Sequence, residues 1–119
     1  MIELLLSTAT SLYVYDGDTL RVNNIPYRLV GIDTPEIHSK CEAEYRLAII
    51  ARDHLRALTR EPSARLIEVL CYGSNFGRKC AIVKVKDQNI APLMVKARLG
   101  DAYYCSAAGC PPRRQWCTK

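Results

Sequence analysis

The chain lacks a membrane span: no stretch approaches the roughly 20 consecutive apolar residues that cross a bilayer as a helix. Its cysteines include no Cys-x-x-Cys pair, which argues against a structural zinc; its only histidines are His38 and His54. It also lacks internal repeats, low-complexity stretches and interdomain linkers, so residues 1–119 read as a single domain. The opening MIELLLSTATS has an apolar run but no basic stretch ahead of it, and it passes directly into strand-like sequence. It is not read as a signal peptide. Removal of an export signal ahead of this start stays open, so the compartment is left unassigned.

What is present suffices for a folded domain. A chain of 119 residues buries about two thirds of its unfolded surface if compact, enough for a core without covalent staples. An apolar share of 49% and an aromatic share of 8% are ordinary for a globular chain and exclude disorder. Seventeen Lys+Arg against twelve Asp+Glu give a net charge of +5. A polyanion partner would select such an excess, and solubility accounts for it equally well.

Residues 7–15, 18–23 and 26–32 are rich in β-branched and aromatic types and are separated by turn residues, which predicts a three-stranded antiparallel meander. Ser39 and Glu42 form a capping-box pattern, after which Leu47, Ile50, Ala51, His54, Leu55 and Leu58 recur at helical spacing to predict a helix over about 42–60. Pro62 stops it. Two further strands follow at 65–71 and 79–86. A short helix at 90–99 ends at Gly100, a C-cap residue type. Residues 101–105 form at most a brief strand, and the tail from about 106 reads as irregular. The pattern predicts an α+β protein: a five-stranded OB-fold Greek-key barrel with a helix between strands 3 and 4 and a short second helix.

Of the six cysteines, Cys71 and Cys80 lie in strand-like runs and read as free thiols packing like small hydrophobes. Cys41 opens the first helix and Cys117 lies in an aperiodic tail. A Cys41–Cys117 disulfide would fasten that tail. Cys105–Cys110 is the competing bridge, and free thiols throughout are the other reading.

The chemistry-bearing stretch is RLVGIDTPE at 28–36, where an apolar strand ends in Asp33 and Glu36 around a proline. Asp18 of the DGDT turn is delivered to the neighbouring strand end, so the two aspartates converge if the strands pair. Carboxylates buried together need a counter-charge. Two of them with a main-chain carbonyl suit a hard divalent ion held weakly, although a DG turn beside a strand-end aspartate is also ordinary turn chemistry.

Taken together, DGDT, RLVGIDTPE and the Gly77-Arg78 pair before a strand resemble the staphylococcal nuclease (thermonuclease) family over roughly residues 10–105. The resemblance implies a calcium-dependent nuclease cleaving DNA and RNA, with single strands favoured, to leave 3′-phosphates. It places the metal at Asp18, Asp33 and the Thr34 carbonyl, the phosphate grip at Arg28 and Arg78, and the water-activating acid at Glu36. Asn75 and Phe76 depart from the family's charged residue and tyrosine. The alternative is a non-catalytic OB-fold nucleic-acid-binding module. A monomer with no membrane association is expected, with Lys79, Lys84, Arg113 and Arg114 adding polyanion contacts outside the site. His54 is expected to pack, His38 to be exposed, and Tyr103 and Tyr104 to serve core or rim packing.

Overall fold

A computed structural model describes residues 2–73 and 77–117; Asn75 and Phe76 lie outside the described residues. The meander forms as its alternation dictates. Strands β2 (Leu12–Asp16), β3 (Thr19–Val22) and β4 (Ile25–Leu29) pair antiparallel in succession. Asn23 and Asn24 both take positive φ, 51° and 66°, the conformation a two-residue hairpin turn requires. Val14, Leu20, Val22, Tyr27 and Leu29 point into the core. The alternate residues, Tyr13, Tyr15, Thr19, Arg21, Pro26 and Arg28, therefore share the opposite face.

The stretch expected as one strand over 26–32 is broken. Gly31 adopts a φ of +96°, and the chain turns into a separate strand, β5 (Gly31–Asp33). β5 pairs antiparallel with β9 (Asp101–Tyr103) in a small second sheet. The main sheet has the order β1-β6-β7-β4-β3-β2, where β1 is Glu3–Leu5, β6 is Arg65–Val69 and β7 is Lys79–Val85. A short β8 (Gln88–Asn89) also pairs with β7. The contact between β4 and β7 is parallel and the remaining pairings are antiparallel, so the sheet is mixed. One core of residues from both sheets and both helices fills it.

The architecture is thus α+β, a curled sheet with two helices, with nine short strands among the described residues where five were expected. Glu3–Leu5 forms an unforeseen edge strand, and residues 6–8 make a 3-10 turn, so the strand expected from residue 7 starts only at Leu12. No helix among the described residues is long and apolar enough to cross a membrane.

Helix α1 (Glu42–Thr59) has the expected extent but a different inner face. It buries Glu44, Ala48, Ala51, Leu55 and Thr59, whereas Leu47, Ile50 and His54 are exposed. The helix turns its alanines inward because it approaches the turn after β2 closely: a Cβ on Gly17 would stand 2.7 Å from the Cβ of Ala51. The expected capping box does not form. Ser39 Oγ donates to the Cys41 carbonyl at 3.0 Å, and Cys41, the N-cap, makes no side-chain cap bond.

Helix α2 (Ile90–Lys96) is shorter than expected. It ends in a Schellman motif, with Leu99 N–H donating to the Met94 carbonyl and Arg98 N–H to that of Val95, and Arg98 takes the left-handed position at φ 62°. Gly100 has another purpose. A Cβ there would lie 2.6 Å from the Asp33 carbonyl oxygen, so glycine lets this loop lie against the end of β5.

All six cysteines are paired. Cys71–Cys80 corrects the expectation of two free thiols: Val69 of β6 pairs with Cys80 of β7, leaving Cys71 just beyond its neighbour with a Cα separation of 5.6 Å. Cys41–Cys117 and Cys105–Cys110 occur together, with Cα separations of 5.9 and 4.2 Å, so they do not compete.

Candidate active site

The site is assembled at one end of the meander. A β-bulge between Val14 and Asp16 leaves Tyr15 out of the pairing and sets Asp16 opposite Thr19. Such a bulge bends the strand, here into the Asp16-Gly17-Asp18 turn. The Asp18 carbonyl accepts the Leu29 N–H at 2.8 Å, and its Oδ2 accepts the Thr34 N–H at 2.9 Å. Both bonds tie this turn to the run from β4 into β5. Asp18 and Asp33 thereby share one guanidinium: Arg28 Nη1 lies 3.1 Å from Asp18 Oδ2 and its Nη2 lies 3.5 Å from Asp33 Oδ1. Nη1 also donates to the carbonyls of Leu29 and Ile32, which fixes the fork in plane.

Arg78 joins the same constellation from the start of β7. Its Nη1 donates to Thr19 Oγ1 at 2.9 Å, and that hydroxyl donates to Asp18 Oδ1 at 3.1 Å. Arg28 is the cross-strand partner of Thr19, so the two arginines flank one threonine. Glu36 leaves its carboxylate half-exposed, while its N–H donates to Oε2 of the buried Glu44 on α1 at 3.1 Å. These groups open onto a cavity of about 530 Å3 lined by Asp16, Asp18, Arg28, Glu36 and Arg78, with several tyrosines.

One further side chain enters unforeseen. Arg113, from the tail, donates through Nε to both carboxylate oxygens of Asp33 at 3.1 Å. Its Nη2 lies 2.8 Å from Asp33 Oδ1 and donates to Glu36 Oε1 at 2.9 Å. The expectation that Arg113 contacts polyanion outside the site is therefore corrected: it sits on two of the acids. Lys79 and Arg114 likewise face acids, Lys79 at 3.5 Å from Glu68 and Arg114 at 2.6 Å from Asp101. Arg114 also stacks over Trp116. The tail is brought here by fastenings: the disulfide from Cys117 to the start of α1, the loop closed by Cys105–Cys110, and Tyr103 Oη donating to the Pro111 carbonyl at 2.8 Å.

Burial and mutual repulsion act on the site's acids, and the arginines oppose them. Asp33 is 1% exposed, and its burial pushes its carboxyl above the ordinary aspartate value against the lowering pull of Arg113; the Asp18 charge adds to the rise and Arg28 opposes it. The same bonds raise the Arg113 guanidinium, already fully charged. Asp16 is pushed up to about 8, first by burial and then by the Asp18 charge. Its Oδ1 accepts the Asp18 N–H at 3.1 Å. Sequence reasoning passed over Asp16, although it stands in the same DGD triplet, because only its burial distinguishes it.

All six residues singled out from the sequence, Asp18, Arg28, Asp33, Thr34, Glu36 and Arg78, are gathered at this one end of the sheet. Thr34 is buried, and its Oγ1 has no hydrogen-bond partner among the described residues. The donors are all hard oxygens: the Asp18 and Asp33 carboxylates and the oxygens of Thr34. They are the donor types that a calcium-class ion takes, and Arg28 and Arg113 supply the positive charge beside them in this structure. The Cys41, Glu44 and Cys117 ligand atoms also cluster, but both sulfurs are spent in a disulfide. His38 and His54 are exposed. Tyr103 and Tyr104 pack at the rim, Tyr103 over the tail and Tyr104 against Gly31. No protein-family model matches the chain, and no curated protein matches it.

Proposed function

We propose that the protein is a calcium-dependent nuclease of the staphylococcal nuclease type, hydrolysing phosphodiester bonds of DNA and RNA with single strands favoured. The observation that carries this reading is the bridging of Asp18 and Asp33 by Arg28, with Arg78 joined to the same Asp18 through Thr19. In this reading β2, β3, the β4–β5 run, β6 and β7 are the five strands of an OB-type Greek-key barrel, with α1 between the third and fourth.

Asp18, Asp33 and Thr34 would hold the ion, which would supply positive charge to stabilise the phosphate. Arg28 and Arg78 donate forked hydrogen bonds to the phosphate oxygens, where negative charge grows in the transition state. A lysine would bring charge without the fork. Glu36, whose carboxylate reaches the open cavity, takes the proton of the attacking water. Cleavage that leaves 3′-phosphates follows from the family resemblance. Arg113 is the ion's competitor in the free protein, and it must leave Glu36 before that carboxylate can accept a proton.

Arg113 also favours a second reading. An acid facing a polyanion repels it, and a guanidinium on Asp33 and Glu36 removes that objection to a non-catalytic nucleic-acid-binding module. Incubation of single-stranded DNA with the protein in calcium, and in excess chelator, separates the two. The nuclease reading expects degradation in calcium and none in chelator. Undiminished cleavage in chelator removes the metal assignment, and retained binding without cleavage in any divalent ion favours the binding module.

A further inference from the structure

The outer face of the meander sets exposed aromatic rings beside arginines. On β2, Tyr13 and Tyr15 project from the same side, 56% and 41% exposed. Tyr13 stands directly opposite Arg21, and Arg21 opposite Pro26, in one cross-strand row. One step along, Thr19 is opposite Arg28, and Arg78 bonds to Thr19. Both tyrosines, Arg21, Arg28 and Arg78 line the same cavity. The face therefore runs from the phosphate grip of the proposed site to a second arginine-bearing row, with exposed aromatic rings beside it.

Neither ring is buried in the core, and Tyr15 meets only the exposed ring of His38 among the described aromatic residues, with centroids 6.3 Å apart. The core is filled from the other side of β2 by Val14, and the bulge leaves Tyr15 outside the ladder. Two residues along a strand span about 6.6 Å, which leaves room for two rings to engage separate partners. Flat π-faces held on a sheet beside guanidinium groups are a means of binding unpaired bases, which stack on aromatic rings irrespective of sequence. Bases inside a duplex are already stacked on one another and offer no free face.

We propose that Tyr13 and Tyr15, with Arg21, form a base-stacking platform that binds nucleotides flanking the phosphate held by Arg28 and Arg78, so that the site selects single-stranded nucleic acid by stacking. This rests on the nuclease or nucleic-acid-binding reading above. The bases lie on the two rings, and Arg21 meets the backbone at the far row. The arrangement selects for unpaired bases and is indifferent to their identity.

The test is fluorescence anisotropy in chelator, where no cleavage is expected, with a short labelled single-stranded DNA, an abasic strand of equal length and the corresponding duplex. Tyr13→Ala and Tyr15→Ala are each expected to bind the intact single strand roughly fivefold to a hundredfold more weakly than the wild type. Tyr13→Phe and Tyr15→Phe, which keep the rings, retain wild-type affinity and carry the test should an alanine variant fold poorly. The wild type loses affinity on the abasic strand to a similar degree, and the alanine variants lose little more. If the wild type binds single strands and neither the alanine changes nor loss of the bases matters, the platform is wrong and the nucleic-acid reading stands. If the wild type binds no strand at all, both fall.

Discussion

Two regions converge on Asp33, and they place their side chains by different means. In the meander, β2 to β5, period-two alternation and hairpin turns decide what faces where: Leu29 goes inward, Arg28 outward, and the strand end at Asp33 meets the turn at Asp18. In the tail, residues 106–117, no such period operates. Disulfides at Cys105–Cys110 and Cys41–Cys117, with the Arg114–Asp101 ion pair, hold an aperiodic segment across the site and deliver Arg113 to the same carboxylate. Side chains placed by backbone hydrogen bonding follow from local pattern, whereas those placed by long-range covalent links do not. On the proposed function the regions have different tasks: the meander and the start of β7 carry the chemistry, and the tail supplies a counter-charge to Asp33 and Glu36.

If the meander and the adjoining start of β7 hold the working groups, the largest effect comes from Arg28 and Arg78. Arg28→Lys and Arg78→Lys should each lower turnover about a hundredfold to a thousandfold, the scale for losing one preorganised donor, while circular dichroism shows both variants folded. Turnover near wild type in either variant would make that arginine a structural ion-pair member and erase the proposed division of labour.

The tail's attachment is tested by stability. Replacing Cys41 and Cys117 together with serine opens a link across 76 residues, and is expected to cost about 2–4 kcal/mol in denaturant unfolding. The meander's own pairing should persist in the folded variant. An unchanged midpoint would mean that the ion pairs of Arg113 and Arg114 hold the tail without the disulfide.

Much of this was legible in the sequence for reasons that the structure makes explicit. The hairpin at Asn23-Asn24, the helix over 42–59 and the strands at 65–69 and 79–85 follow from turn chemistry and periodicity, and they suffice to bring Asp18, Arg28, Asp33, Thr34 and Arg78 to one end of the sheet. Periodicity misjudged the buried face of α1, because the larger apolar residues Leu47 and Ile50 outweigh alanines in any pattern. Contact with Gly17 selects the smaller face. The pairing of Cys71 with Cys80 needs the β6–β7 register, which no local pattern encodes. Arg113 was read from the sequence only as one of four basic residues outside the site, since its true position depends on a fastening dozens of residues away.

On the proposed function, Asp33 and its neighbouring acids form a cation site whose charge Arg113 neutralises in the free protein. Calorimetric titration of calcium into the wild type and into Arg113→Gln, without nucleic acid, separates this from a purely structural ion pair. Saturable binding to both is expected, weak in the wild type and about tenfold tighter in the variant, a gain of about 1.4 kcal/mol. Equal affinities, or no binding to either protein, would rule the cation site out.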